Sequence, residues 1–139
     1  MLELEITESC IISDLENSCL RLGRLRELGV SIAIDDFGTG HSSFSCLQQL
    51  PVDTLKIDRS FIARMDGTPG GSAIIRTIIA LATQIGLQVV AEGVETEVQR
   101  AELEEIRCGL LQGNHLAEPL SASASDLLVE ESRQDVSTL

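Results

Sequence analysis

Short runs of alternating apolar and polar residues recur along the chain, and longer stretches with helical spacing follow them. Leu2, Leu4 and Ile6 alternate with Glu3, Glu5 and Thr7, the pattern of a strand with two unlike faces. Leu15, Cys19, Leu22, Leu25 and Leu28 then form the apolar stripe of an amphipathic helix. Ser13 and Glu16 are placed to cap that helix, and Gly29 to stop it. Further strands are predicted over Val30–Asp35, Thr54–Ile57, Leu87–Ala91 and Leu110–Gln112. Helices are predicted around Ser43–Leu50, at Ser60–Met65, over Ser72–Ile85 and over Glu95–Ile106, while Asp66-Gly67-Thr68-Pro69-Gly70-Gly71 reads as a loop. Residues 1–120 are expected to form the domain. The stretch 121–139 is expected to be an acidic, partly disordered tail with a helical piece over Ser125–Glu131.

Strand–helix alternation without a hairpin signal implies a parallel α/β sheet with right-handed crossovers, either doubly wound or part of a β/α barrel. Parallel strands share a direction, so their carboxyl ends meet at one rim. Every one of those ends is polar: Glu5-Ile6-Thr7-Glu8, Asp35-Asp36, Lys56-Ile57-Asp58, Glu92-Gly93-Val94-Glu95 and Gln112-Gly113. One polar strand end means little, whereas a full set on one rim forms a site. Asp35 and Asp36 are the odd pair among them. Strict alternation places Asp35 with Ser31 and Ala33, and Asp36 with Ile32 and Ile34. Adjacent carboxylates at the end of a buried strand repel and are costly to desolvate, and a divalent cation would relieve both penalties. The plainer alternative is a solvated strand end running into the turn at Gly38-Thr39-Gly40.

Composition narrows the chemistry. An aromatic content of 2% means that aliphatic side chains must build the core, as they do around parallel sheets. A net charge of −12 excludes a basic surface for a nucleic-acid polymer. Cys10, Cys19, Cys46 and Cys108 show no CxxC spacing, so reduced thiols and a cytoplasmic location are expected. No apolar run reaches the ~18 residues of a membrane span. HExxH, His-pair and Cys-pair patterns are absent, which argues against zinc, and His41 and His115 read as loop or surface residues. Carboxylates with one lysine suit Mg²⁺ or Mn²⁺ and a two-metal hydrolysis of a phosphodiester. Lys56 either orients the attacking water or forms a buried salt bridge to a neighbouring acid.

Taken together, Leu4-Glu5-Ile6-Thr7-Glu8-Ser9, Asp35-Asp36-Phe37-Gly38-Thr39-Gly40, Leu55-Lys56-Ile57-Asp58, Ala91-Glu92-Gly93-Val94-Glu95-Thr96 and Gln112-Gly113 resemble the EAL-domain family. These are bacterial phosphodiesterases that linearise cyclic di-GMP. The resemblance covers residues 2 to about 120 and implies an incomplete (β/α)8 TIM-type barrel, of which these would be the last five parallel strands with their helices. It implies Glu5 and Asp35 as metal ligands, Asp36 as the second-metal partner, Lys56 as the residue that positions the water, and Glu92 as a metal-site or base carboxylate. Glu95 and Gln112 would support the rim, and Glu8 would hold the loop of Gly38, Thr39 and Gly40, which is also associated with dimerisation. The implied cofactor is Mg²⁺ or Mn²⁺, and the implied ligand is cyclic di-GMP.

The departures shape the expectation. No Glu-Ala-Leu motif occurs, nor the Asn-bearing strand that would supply a further ligand, and Glu118 stands where the family usually has a positive side chain. His41, Phe44 and Asn114 are smaller differences. Weak metal binding and no turnover by this chain alone are therefore expected. The alternative is a non-catalytic cyclic di-GMP-binding or dimerisation module. An exposed Leu2–Thr7 edge strand would favour a homodimer or association through that edge.

Overall fold

The computed structural model describes residues 2–7, 14–38, 44–65 and 68–125. Five strands, β1 (Glu3–Thr7), β2 (Ser31–Phe37), β3 (Thr54–Ile57), β4 (Gln88–Glu92) and β5 (Leu110–Gln112), form one sheet in chain order. Every neighbouring pair is parallel. The described helices are α1 (Leu15–Glu27), α2 (Phe44–Leu47), α3 (Arg59–Ile62), α4 (Pro69–Gln84) and α5 (Glu97–Glu105). A doubly wound sheet reverses its strand order at a switch point, and this sheet does not, so its order is that of a barrel segment. Among the described residues no helix is long and apolar enough to cross a membrane.

The register gives the sheet two different faces. Lys56 pairs with Val90, Glu92 with Gln112, and Glu5 with Ala33, so one face carries the polar strand ends. The other face carries Ile32, Ile34, Leu55, Ile57, Val89 and Ala91, all at most 3% exposed. Ile75, Ile78, Ile79 and Ala82 of α4, with Leu22 of α1 and Leu103 of α5, belong to the same buried cluster. Each Ile, Leu or Val side chain among them contributes about 1.5–3 kcal/mol on burial. β3, central in the sheet, is buried along its whole length. β1 is the opposite case, with Leu2 66% and Leu4 40% exposed at an open edge.

Local chemistry moves several predicted boundaries. Asp14 caps α1, accepting from the Asn17 amide at 3.2 Å, whereas the predicted cap Ser13 lies outside the described residues. The loop predicted over 66–71 gives way at Thr68, whose Oγ1 accepts from Gly71 N at 3.3 Å while Pro69 occupies the first turn of α4. A cap and a preset proline φ outweigh the helix penalty of Gly70 and Gly71. α5 opens at Glu97 under a full capping box of Thr96 and Gln99, and the helix predicted around Ser43–Leu50 is the single turn Phe44–Leu47. β2 runs past Asp35 to Phe37. The predicted helical piece after Ser125 lies outside the described residues.

Three helices end in the same hydrogen-bonded motif. Gly29 (φ 83°) closes α1 and Gly86 (φ 82°) closes α4, but Arg107 (φ 59°) closes α5. In α5 the Cys108 amide donates to Leu103 O at 2.9 Å and the Arg107 amide to Glu104 O at 3.0 Å. A side chain in the left-handed region costs about 1–2 kcal/mol, which glycine avoids. Arg107→Gly is therefore expected to stabilise the fold by about 1 kcal/mol, read as a higher urea midpoint at unchanged slope. A lower midpoint would refute the assignment.

Candidate active site

The site begins with a defect in β2. The β2–β3 register passes from Ile34 opposite Leu55 to Phe37 opposite Ile57, so Asp35 and Asp36 together face the single residue Lys56. This is a β-bulge, and Asp36 takes the left-handed conformation that makes it (φ 54°). The bulge lets both Ile34 and Phe37 bury on the helix side, at 1% and 4% exposure. Asp36 is thereby displaced from the apolar face that strict alternation gave it, and the expectation that it follows Ile32 and Ile34 is corrected. Aspartate tolerates this conformation better than a bulky residue would. The Asp36 amide donates to Asp35 Oδ1 at 3.0 Å, which closes the turn locally.

Lys56 is the centre of the rim. Its Nζ lies 2.6 Å from Glu5 Oε1, 2.7 Å from Glu92 Oε1 and 3.5 Å from Asp35 Oδ1, with 9% of its side chain exposed. Burial works to drive the proton off. The hydrogen bonds to Glu5 and Glu92 and the charges of Glu92 and Asp35 hold it on, so the ammonium is kept well above the ordinary lysine range. The chain contains one lysine, so this is its only ammonium side chain.

Beside this cluster opens a cleft of about 380 Å³. Asp36, Asp58, Glu92 and Glu95 line it with carboxylates, Gln112 and Asn114 with amides, and Arg59 with a guanidinium. Asp58 ends β3 and caps α3, and its hydrogen bonds with Ser60 hold the carboxyl below the usual range. Gly93 (φ 72°) and Gly113 are backbone requirements of the cleft. A Cβ on Gly93 would stand 2.5 Å from Arg59 Cβ, and one on Gly113 would overlap Val94 O. Val94 N donates to Gln112 O and His115 N to Val94 O, each at 3.0 Å, so backbone hydrogen bonds tie the ends of β4 and β5.

The structure thus brings Glu5, Asp35, Lys56 and Glu92 to one point, and Asp36, Glu92, Glu95 and Gln112 to the cleft. Gly38 packs where a Cβ would stand 2.8 Å from the Phe61 ring. Glu8, Thr39 and Gly40 lie outside the described residues. Sequence reasoning placed Asp58 on the rim without assigning it a role and missed Arg59 as a cleft residue, although Arg59 follows Asp58 directly. The carboxylates have the hard oxygen donors that Mg²⁺ or Mn²⁺ takes. They do not make a complete metal site: among the described residues no three His, Cys, Asp or Glu side chains are grouped to hold an ion, and Glu5 and Glu92 are engaged by Lys56.

Comparison with known proteins fits this geometry. The family model described as EAL domain matches residues 1–119. The cyclic di-GMP phosphodiesterase NbdA of Pseudomonas aeruginosa is 46% identical over 134 residues, which is 96% of this chain and 17% of that protein. Among solved structures, the EAL domain of Mycobacterium smegmatis DcpA superposes with a TM-score of 0.86 at 49% identity, covering 93% of this chain and 58% of that one. The PaMucR phosphodiesterase in its c-di-GMP complex gives 0.83 at 45% identity, covering 88% and 50%. A manganese/cy-diGMP complex of Klebsiella pneumoniae BlrP1 gives 0.73 at 32% identity, covering 80% and 28%. The chain spans less than a fifth of that curated relative and about half of the DcpA and PaMucR chains.

The Lys56 cluster carries a pH dependence of definite sign. A lysine whose pKa is raised by folding contributes stability that is fully present below the unfolded value of about 10.4 and is lost as pH rises through the higher folded value. Lys56→Met is expected to remove that alkaline dependence. At pH 7 it should cost about 2 kcal/mol, because three carboxylates lose their counter-charge while half-exposed Glu5 is partly screened. Urea unfolding of both proteins at pH 7 and from about pH 9 to 12 checks this, and parallel curves above about pH 10.4 would refute it.

Proposed function

The chain belongs to the EAL domain family, and from that premise we propose that it forms the carboxyl-side part of a cyclic di-GMP phosphodiesterase domain. The observation that carries the reading is the convergence of Glu5, Asp35 and Glu92 on Lys56 at the carboxyl ends of parallel strands, beside an acidic cleft. In this reading Glu5, Asp35 and Asp36 are the chain's contribution to a Mg²⁺ or Mn²⁺ site. Further donors must complete it, since these residues fit a hard cation in chemistry but not in number. A bound divalent cation would offset the negative charge of both the cleft and a phosphodiester and lower the pKa of a coordinated water.

The chain's own groups have separable tasks. Lys56, kept protonated, donates to Glu5 and Glu92 and fixes their carboxylates before any ligand arrives. Such preorganisation is where electrostatic catalysis gains most. Glu92 both bonds Lys56 and lines the cleft, so it is the carboxylate placed to accept a proton from a water there. Gln112 and Glu95 present polar groups along the same wall. Arg59 supplies a guanidinium suited to a phosphate oxygen. Glu8, Thr39 and Gly40 are proposed, with Gly38, to shape the loop beyond β2. A cytoplasmic location accords with the reduced thiols of Cys19 and Cys108. The open β1 edge, with Leu2 and Leu4 exposed, is proposed to pair with a second copy.

Purified chain mixed with cyclic di-GMP and Mn²⁺ is expected to form no linear pGpG, while amide resonances of Asp58, Glu92 and Gln112 shift on titration. Turnover near the 1–10 s⁻¹ common to enzymes would overturn the first expectation, and unmoved resonances the second. Sedimentation is expected to show a concentration-dependent dimer that Leu4→Lys converts to monomer; a wild-type monomer at high concentration would exclude pairing through β1.

A further inference from the structure

We infer that Gln99 is a positioning residue that locks two walls of the cleft to each other without touching its contents. It sits in the first turn of α5, is 6% exposed, and does not line the cleft. Its Oε1 accepts from Glu95 N at 2.8 Å and Thr96 N at 3.0 Å. Its own backbone amide is held by Thr96 Oγ1 at 3.2 Å, which completes the capping box. The remaining group is the informative one. Gln99 Nε2 donates to Ile62 O at 3.2 Å, at the far end of α3, in a buried contact 37 residues away in sequence. α3 opens at Asp58 and Arg59, which line one wall of the cleft, and the segment Glu92–Glu95 lines the next. One side-chain amide therefore joins the β3–α3 corner to the β4–α5 corner.

The choice of residue supports this. A capping box is served equally by glutamate, whose carboxylate also suits the positive end of the helix dipole. Glutamate lacks the donor that reaches Ile62 O and would bury a charge against that carbonyl. Only glutamine can accept twice on the α5 side and donate once on the α3 side. Both walls meet at Gly93, where Arg59 packs so closely that no Cβ fits, so a displacement of α3 is transmitted to the end of β4. The placement of Arg59 and Asp58 relative to Glu92 is thus set in part by a group buried behind the cleft. The functional consequence rests on the cleft being the substrate site proposed above.

Amide hydrogen exchange and cyclic di-GMP titration of the full chain test the inference with Gln99→Glu and Gln99→Leu. Gln99→Glu keeps the α5 cap and loses the tie to α3. Exchange at Glu95 and Thr96 should stay near wild type while Ala63 and Met65 exchange about tenfold faster, the loss of one hydrogen bond. Lowering the pH until the introduced carboxyl protonates should restore protection of Ala63 and Met65, because its hydroxyl can then donate to Ile62 O. Gln99→Leu should loosen both sets at every pH. Affinity for cyclic di-GMP should fall in Gln99→Glu and recover with the same acid titration. Uniformly faster exchange across the chain in Gln99→Glu, or no change at Ala63 and Met65, would overturn the coupling. If wild-type chain gives no cyclic di-GMP response while the exchange pattern holds, the substrate reading fails and the coupling stands.

Discussion

One ammonium group governs the charge balance of the rim. Glu5, Asp35 and Glu92 come from three different strands, and parallel pairing alone would set their carboxylates close together with nothing between them. Like charges at such spacing drive each other toward protonation or apart. Lys56 lies on the central strand, so it can reach Glu5 across β2 and Glu92 on adjacent β4. Its burial is tolerated because each neighbour returns a charge-assisted bond. The rim can therefore be strongly acidic and still be the end of a well-packed sheet.

The cleft depends on a second constraint, which is steric. β2 must present two acids at its end and still keep its last apolar residue in the core, and a regular strand cannot do both. The bulge resolves the conflict by spending Asp36 in a left-handed conformation, so that Ile34 and Phe37 both stay buried. Across the cleft, Gly93 and Gly113 allow side chain and backbone to approach more closely than any Cβ permits. These three backbone features lie at strand ends that also carry Asp35, Glu92 and Gln112. Strain gathers at such places when surrounding packing over-determines them, and here the nearly unexposed β3 with Val89 and Ala91 of β4 provides that packing.

The sheet has one polar face and, at β1, one exposed edge. The helix-covered face is closed by α1, α4 and α5, whereas the other face holds Glu5, Thr54, Lys56 and Glu92 among smaller groups. A barrel segment places its chemistry on that inward face by construction. The comparisons agree, since the chain overlies about half of the DcpA and PaMucR EAL-domain chains. The metal site proposed at Glu5, Asp35 and Asp36 belongs to the same picture, since among the described residues these carboxylates are not grouped to hold an ion.

Much of this was legible in the residues themselves. Alternation and short apolar runs predicted the five described strands, and helical spacing the long helices, because burial leaves that trace in a sequence. Parallel direction followed from the strand–helix order, and with it the meeting of Glu5, Asp35, Lys56, Glu92 and Gln112 at one rim. Strand–helix order by itself left a doubly wound sheet and a barrel segment both open, because strand order is a property of pairing between distant segments; the motif resemblance pointed to the barrel, and the strand order agrees. Nor could it reveal that Asp36 leaves its alternating face, since a bulge exists only relative to a partner strand and its cause is the joint burial of Ile34 and Phe37 against helices elsewhere in the chain. Arg59 against Gly93, and Gln99 against Ile62, were hidden for the same reason: each contact spans more than thirty residues, and only packing brings its two halves together.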